Sequence, residues 1–314
     1  MNINTEMNTK KEIATMTDDP AAATPGPKHW GSPERTGAAY DFRSDVVTTP
    51  SLSMLHAIAR ATLHDDVFAE DTTTSLFERQ IATICNHEAA AFDARKHAVV
   101  TGDVHKCPTR VVSLENTRGG SVIPLGEMIR IKNWAEGVGV KVHLDGARLW
   151  EAVAAGAEGI DEFARCADVV MLDFSKNLGA PMGAMVVGSA ELIGRLRRLR
   201  KSIGGGMRQA GMLAAAARQA VLENFGPGTR DEKGVLGGSH ELAREAGRMW
   251  EGRGGVLLRA VETNMGWLDL KGAGVSAEEW NEAGRRHGIR VDACGLDWLI
   301  MQQNVTWAAL GIGR

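Results

Sequence analysis

Residues 141–148 read Lys-Val-His-Leu-Asp-Gly-Ala-Arg, and residues 171–181 read Met-Leu-Asp-Phe-Ser-Lys-Asn-Leu-Gly-Ala-Pro. In both stretches a short apolar run ends on polar residues, and a helical stretch separates the two. This order predicts a strand, a helix and a second strand, the unit from which parallel sheets are built. Because ligands of open α/β sheets bind beyond the carboxyl ends of the strands, we expect Asp145 and Lys176 at the binding edge.

An acid and a lysine at one crevice are what pyridoxal phosphate (PLP) requires. The lysine binds the cofactor as a Schiff base, and the carboxylate keeps the pyridine nitrogen protonated so that the ring accepts electrons. An ordinary ion pair at the end of a sheet is the alternative interpretation. The residues that flank Asp145 and Lys176, Gly146-Ala147-Arg148 and Asn177-Leu178-Gly179-Ala180-Pro181, favour the cofactor site.

The length and composition of the chain exclude several classes of protein. The 314 residues suffice for one large and one smaller domain. The formal net charge of −3 gives no reason to expect a nucleic acid or an anionic membrane as partner. The four cysteines are scattered, so their spacing indicates neither a metal site nor a redox pair. No apolar run spans a membrane and the N-terminus is polar, so we expect a cytoplasmic protein.

Composition and periodicity divide the chain into three parts. Residues 1–39 are rich in Thr, Ala, Pro and charge, and we expect a disordered arm. Residues 40–228 carry the strand–helix–strand unit and form the predicted large, PLP-binding domain. Within this domain the run from Val111 to Leu114 predicts a buried strand. Residues 229–314 are predicted to form a smaller α/β domain.

The loop Gly204-Gly205-Gly206-Met207-Arg208 precedes a helix that is rich in alanine. Three glycines permit a close approach of the backbone to a ligand, and an arginine beside them suits a phosphate group. Taken alone, such a loop is more often only a turn.

The chain contains six short motifs in a fixed order: Phe42-Arg43-Ser44-Asp45, Asp65-Asp66-Val67, Leu114-Glu115-Asn116-Thr117, residues 143–148, Phe174-Ser175-Lys176, and residues 204–209. Together they resemble the motifs of the low-specificity L-threonine aldolase family. That family consists of PLP-dependent enzymes with the aspartate-aminotransferase-like fold (fold type I), an α/β fold with a mainly parallel sheet.

The resemblance implies a role for each residue of the candidate site. Lys176 corresponds to the lysine that carries PLP, Asp145 to the carboxylate under the pyridine nitrogen, and Arg148 to the arginine at the phenolic oxygen. Arg208 corresponds to an arginine at the cofactor phosphate. Ser44 is similar to a residue near the substrate carboxylate, and His105 to a histidine near the substrate hydroxyl. No metal ligand is implied.

The resemblance also implies a reaction, with two alternatives. The expected activity is the cleavage of L-threonine, L-allo-threonine or a related β-hydroxy amino acid into glycine and an aldehyde, in a homo-oligomer (dimer or tetramer). Some relatives of this family racemise alanine, so a racemase is the first alternative. His105 favours the aldolase, because racemisation needs no base at a β-hydroxyl. A protein that has lost catalysis is the second alternative.

The chain departs from the family directly after Phe92. Family members have a long segment there, with a loop that wraps the cofactor phosphate and a histidine that stacks on the ring, whereas this chain passes almost at once to Asp103. By the same resemblance we expect a shortened C-terminal part, and residues 296–303 lack the arginine that in the family would bind the substrate carboxylate. We therefore expect weak cofactor binding and poor activity.

Overall fold

The structure is a computed structural model that describes residues 38–93, 110–226, 234–292, 298–302, 304–305 and 307–311. Of the predicted N-terminal arm, residues 1–37 lie outside the described residues. The last two residues of the predicted arm, Ala38 and Ala39, are buried and begin a short 3₁₀ turn, Ala38–Tyr40.

Helices and strands alternate along most of the described chain. The N-terminal half contains α1 (Leu52–Ala59), α2 (Thr72–Ile84), β1 (Ala89–Asp93), β2 (Val111–Glu115), α3 (Leu125–Gly137), β3 (Lys141–Asp145), α4 (Leu149–Ala154), α5 (Ile160–Ala164) and β4 (Val169–Asp173). The C-terminal half contains β5 (Ala184–Gly188), α6 (Ala190–Ser202), α7 (Gly211–Ala220), α8 (Gly234–Glu251), β6 (Met265–Trp267), α9 (Ala277–Arg286) and β7 (Trp298–Ile300).

The five strands β1–β5 form one sheet in the order β1-β5-β4-β3-β2. β2, β3 and β4 pair in parallel, and β5 runs antiparallel to both of its neighbours. The mainly parallel sheet confirms the predicted fold class. Since β3 and β4 are adjacent and parallel, their carboxyl ends meet at the same edge of the sheet.

Several helices begin where the sequence supplies a side chain that caps the first turn. The side chain of Asp71 accepts a hydrogen bond from the backbone N of Thr74 (2.8 Å) and so starts α2. At α9, Ser276 and Glu279 each bind the backbone N of the other in a capping box. Such caps satisfy backbone N–H groups that have no partner inside the helix.

The main hydrophobic core lies between this sheet and the helices that pack on it. Its largest buried side chains include four aromatic rings. Phe77 packs against Phe174 with ring centroids 5.0 Å apart, and Trp150 packs edge-on against Phe225 at 4.8 Å. The indole N–H of Trp150 donates to the carbonyl oxygen of Asp173 (3.0 Å), which fixes helix α4 against the end of β4.

The prediction that the run from Val111 to Leu114 is buried is wrong, although the strand itself is present as β2. Val111 is 53% exposed, and accessibility along β2 alternates between exposed and half-buried. β2 is the last strand in the sheet order and pairs with β3 alone within the described residues. An apolar run predicts burial only when a strand has neighbours on both sides and covered faces.

Two smaller clusters surround the strand pair β6–β7. Phe42 packs there with Leu242 and Met301, and Leu268 packs with Leu270. We call the cluster of Phe42, Leu242 and Met301 the second cluster. Helix α8 contributes Leu236 to the main core and Leu242 to the second cluster, so this one helix joins the two. The domain boundary at residues 228–229 stays a prediction.

Neither a membrane-spanning helix nor a metal site is found in the described part of the chain. Among the helices that the structure describes, none combines the length and the apolar character that a membrane span requires. No group of three or more His, Cys, Asp or Glu side chains is placed to hold a metal ion within these residues.

The carboxylate of Asp168 ties the start of β4 to β3. It accepts hydrogen bonds from the backbone N of Val142 (2.8 Å) and from the amines of Lys132 (2.9 Å) and Lys141 (3.0 Å). Burial by itself would raise the pKa of Asp168, but these donors outweigh burial and lower the pKa to about 2. A carboxyl whose pKa falls on folding stabilises the folded state.

We expect Asp168→Asn to lower the free energy of unfolding at pH 7 by up to ~2 kcal/mol. This stabilisation is complete above the pKa of the unfolded carboxyl, about 3.9, and is lost as the pH falls through the folded value. The difference between the variant and the wild type should therefore shrink from pH 4 towards pH 2. Urea unfolding at pH 7, 4 and 2.5 measures it, with Asp161→Asn in an exposed pair as the control. A difference that is independent of pH would contradict the prediction.

Candidate active site

Lys176 and Asp145 lie at the carboxyl ends of neighbouring parallel strands, as predicted. Asp145 is the last residue of β3 and pairs in register with Met171 of β4, and Lys176 follows the end of β4 by three residues. Lys176 is buried, with 6% of its surface exposed. The turn after Asp145 requires glycine, because a Cβ on Gly146 would lie 2.9 Å from the carbonyl oxygen of Met171.

The carboxylate of Asp145 is oriented by the turn that follows it. Its Oδ1 accepts a hydrogen bond from the backbone N of Ala147 (3.0 Å). Its Oδ2 has no hydrogen-bond partner within the described residues. Oδ1 therefore fixes the side chain, and Oδ2 remains available to accept a hydrogen bond from a ligand.

The loop that carries Lys176 is held from three sides. The hydroxyl of Thr48 donates to the carbonyl oxygen of Lys176 (3.1 Å). The carboxylate of Asp173 accepts hydrogen bonds from the backbone N (2.7 Å) and the hydroxyl (2.8 Å) of Ser175. The side chain of Asn177 donates to Glu151 of α4 and to Ser239 of α8. The backbone that presents Lys176 is thus fixed to the N-terminal segment and to two helices.

Arg148 is oriented by a carboxylate that the sequence analysis did not single out. Its Nε and Nη2 donate to the two oxygens of Asp45 at 2.7 and 2.8 Å, and Asp45 is fully buried. Burial by itself would lower the pKa of Arg148, but the hydrogen bonds and the charge of Asp45 outweigh it, so the pKa is raised. Nη1 makes no hydrogen bond within the described residues, so one guanidinium nitrogen can still bind a ligand.

We expect Asp45→Asn to lower the free energy of unfolding by ~3 kcal/mol, because it leaves the charge of Arg148 buried without its counter-ion. Chemical denaturation measures this loss. Glu127→Gln, in the exposed pair with Arg130, is the matched control and should change stability by less than ~1 kcal/mol. If both variants show the same small decrease in the free energy of unfolding, the Asp45–Arg148 pair does not hold the N-terminal segment in place.

Ser44 forms a hydrogen bond within its own turn, whereas Arg208 is exposed and paired with an acidic residue. Ser44 directly precedes Asp45, and its hydroxyl oxygen accepts a hydrogen bond from the backbone N of Val46 (3.3 Å). The side chain of Arg208 is 72% exposed and pairs with Asp65 (3.0 Å), and its carbonyl oxygen accepts from the backbone N of Asp66 (2.7 Å). Arg208 is therefore fixed to the loop of the Asp65-Asp66-Val67 motif, and its role at a phosphate stays a prediction.

Two further residues bear on the site. His105 lies outside the described residues, so its role near a substrate hydroxyl stays a prediction as well. His143 lies on the same face of β3 as Asp145 and pairs through Nδ1 with the hydroxyl of Ser113 (2.7 Å). Burial lowers the pKa of His143 and outweighs the charge of Asp145, which raises it, so the neutral imidazole is favoured. His143 belongs to the motif of residues 143–148, but nothing in that motif alone indicates a function for it.

The described residues fit one end of PLP better than the other. A buried lysine, a carboxylate with a free oxygen and an arginine with a free nitrogen suit the aldehyde, the pyridine nitrogen and the phenolic oxygen of the cofactor. At the phosphate end the one predicted contact is Arg208, which is exposed and already paired with Asp65. Among the described residues, the predicted groups for the reactive end of the cofactor are therefore present at adjoining strand ends, and Arg208 alone is predicted for the phosphate end.

Comparison with known families defines the class of protein. The sequence profile of the beta-eliminating lyase family matches residues 41–102 and 92–273. The chain therefore belongs to the beta-eliminating lyase family, whose members depend on PLP. The two matched ranges overlap at 92–102, where the sequence analysis placed the missing segment.

Curated relatives give a narrower picture. The chain is 41% identical to the alanine racemase TOXG of Cochliobolus carbonum, over 84% of this chain and 83% of the relative. It is 40% identical to the aldolase vrtJ of Penicillium aethiopicum, over 81% and 79%. It is 30% identical to the low specificity L-threonine aldolase of Saccharomyces cerevisiae, over 82% and 81%. These matches confirm the resemblance to the threonine aldolases.

The same comparison bears on the missing segment. The alignment with TOXG runs over 326 positions but uses only 84% of a 314-residue chain, so about sixty aligned positions have no residue here. The fold resembles that of the threonine aldolase of Leishmania major, with a TM-score of 0.65 and 17% identity, over 85% of this chain and 95% of that structure. The chain thus keeps fold type I and is shorter inside the aligned region.

Proposed function

We propose that this chain cleaves β-hydroxy amino acids such as L-threonine or L-allo-threonine into glycine and an aldehyde. The observation that carries the proposal is that the buried Lys176 and the carboxylate of Asp145 follow or end adjoining parallel strands at the same edge of the sheet. The aldolase names of relatives at 40% and 30% identity support the reaction type. The cytoplasmic location and the homo-oligomeric assembly stay predictions from the sequence.

Each residue of the site has a separate task in this proposal. Bound PLP supplies an electron-accepting ring that stabilises negative charge at the substrate Cα. The amine of Lys176 would hold the cofactor through its aldehyde. The carboxylate of Asp145 keeps the proton on the pyridine nitrogen, and Arg148 binds the phenolic oxygen. Ser44 binds the substrate carboxylate, and His105 takes the proton of the β-hydroxyl as the aldehyde leaves.

Alanine racemisation is the second candidate, because a relative at 41% identity is named an alanine racemase. Both reactions generate negative charge at Cα, so Lys176 and Asp145 serve either one. They differ in the bond that breaks: Cα–Cβ in the aldol cleavage and Cα–H in the racemisation.

The purified chain, at high concentration with excess PLP, should therefore be given L-threonine and L-alanine in separate reactions. Equimolar glycine and acetaldehyde from L-threonine are expected, and Asp145→Asn should lose most of this activity while it keeps some cofactor. Chiral analysis of the L-alanine reaction detects a racemase. D-alanine without any glycine from L-threonine would overturn the proposal, and so would full turnover by Asp145→Asn.

A further inference from the structure

A cluster of four buried polar side chains lies directly behind the loop of Lys176. Glu151, Asn177, Ser239 and His240 are exposed by only 1–3% each. The amide of Asn177 donates to Oε1 of Glu151 (2.8 Å) and to the hydroxyl oxygen of Ser239 (3.0 Å). The other carboxylate oxygen of Glu151, Oε2, pairs with Nε2 of His240 at 2.5 Å.

Such a cluster is costly to bury. An ionised carboxylate is stable in a protein interior only when hydrogen-bond donors satisfy its oxygens, and Asn177 and His240 each supply one to Glu151. Nδ1 of His240 has no hydrogen-bond partner within the described residues although it is fully buried. Within the described residues, Glu151 is therefore the one polar partner of the His240 side chain.

The position of the cluster connects it to the candidate site on two sides. Asn177 directly follows Lys176, so fixing its side chain fixes the peptide that presents the lysine. Glu151 lies on α4 three residues after Arg148, and its negative charge contributes to raising the pKa of that arginine. His240 lies on α8, the helix that joins the main core to the second cluster.

We propose that Glu151 and His240 are positioning residues that hold Lys176 in the geometry for binding PLP. His240 orients the carboxylate of Glu151, Glu151 orients Asn177, and Asn177 fixes the loop on which the lysine is presented. This inference rests on the proposed function, because it takes Lys176 as the lysine that carries the cofactor. A role in packing alone would require only side chains of suitable size and would not depend on a hydrogen-bond donor at residue 240.

Two substitutions of the histidine separate these roles. His240→Gln keeps an N–H donor that can reach Glu151, and His240→Leu fills similar space without any donor. Glu245→Gln, on the same helix in an exposed pair with Arg248, is the matched control. Ser239→Ala removes the hydroxyl that accepts from the Asn177 amide and donates to the carbonyl oxygen of Leu236, and it provides a second test should His240→Leu fail to fold.

Two readouts apply to the full-length chain. Reductive methylation with formaldehyde, without cofactor, followed by mass spectrometry reports how accessible the amine of Lys176 is relative to the other lysines. Borohydride trapping with PLP itself as the probe, followed by peptide mapping, reports the binding geometry. In His240→Leu we expect methylation of Lys176 to rise at least about threefold and trapping of PLP to fall roughly tenfold. His240→Gln should stay within about threefold of wild type, and Ser239→Ala should fall between the two.

Each result decides the matter. Equal values for His240→Leu and His240→Gln, or wild-type values for His240→Leu, would overturn the inference. If His240→Leu does not fold, wild-type values for Ser239→Ala would overturn it instead. If methylation changes as expected while PLP is trapped on no lysine even in the wild type, the positioning network stands and the proposed function fails.

Discussion

Lys176→Ala should abolish the visible absorbance band that PLP gives on the wild-type chain, and it should remove the cofactor-bearing peptide after borohydride reduction. The physical reason lies in the placement of the side chain. Lys176 is buried at the carboxyl end of β4, next to the strand that ends on Asp145. PLP reacts weakly with any exposed lysine. We expect Lys176 to bind PLP more strongly than those lysines, because its side chain is buried and lies next to the end of β3.

Peptide mapping after reduction at saturating PLP makes this expectation quantitative. At least about nine-tenths of the trapped cofactor should lie on the peptide that contains Lys176, because burial and a fixed loop favour that amine over mobile ones. Lys201→Ala, which removes an exposed lysine, is the control and should leave the band unchanged. Trapping on Lys141 or Lys201 with undiminished yield in Lys176→Ala would show that the assignment is wrong.

The sequence was sufficient to predict the elements that build the reactive end of the site. β4 is a short apolar run that ends on Asp173, and β3 alternates Val142 and Leu144 with polar residues and ends on Asp145. Two such segments with a helix between them predict parallel strands. The placement of Asp145 and Lys176 at adjoining strand ends follows from that topology. The resemblance then added roles that no spacing could supply, such as those of Arg148 and Ser44.

The partners of these residues were beyond reach from the sequence. Asp45 lies 103 positions before Arg148, and His240 lies 89 positions after Glu151. Pairs so far apart leave no periodic signal, because helical and strand patterns extend over only a few residues. One local signal existed: Glu151 lies only three positions after Arg148, the residue that directly precedes α4.

The exposure of β2 was mispredicted for a related reason. An apolar run reports the preference of a strand for burial, but the neighbouring elements decide whether burial is achieved. In this chain β2 ends the sheet, and Val111 is largely exposed. The exposed strand agrees with a chain that lacks about sixty positions of its relative in the aligned region.

That shortfall leads to the expectation that the chain as it stands is a poor aldolase. By the family resemblance, PLP is fixed by a phosphate loop, a ring stack and the pyridine carboxylate. On the proposed assignment Asp145 would supply the third contact, whereas Arg208, the residue predicted at the phosphate, is exposed and paired with Asp65. A displacement of about 1 Å at a reacting group can lower the rate roughly a hundredfold. If the cofactor is held only at its reactive end, we expect its ring to be displaced by at least that distance.

Replacing residues 93–102 by the corresponding segment of the Saccharomyces cerevisiae aldolase should therefore raise kcat/KM for L-threonine by about a hundredfold or more, and PLP should bind more tightly. Glycine release and titration of the visible band measure the two effects. A segment of the same composition in scrambled order is the matched control, because it restores length without a phosphate loop. Lys176→Ala in the restored chain should return activity to background. If the unmodified chain already turns over L-threonine at an ordinary enzymatic rate of roughly 1–100 per second, the sparse phosphate end suffices and other residues hold the cofactor.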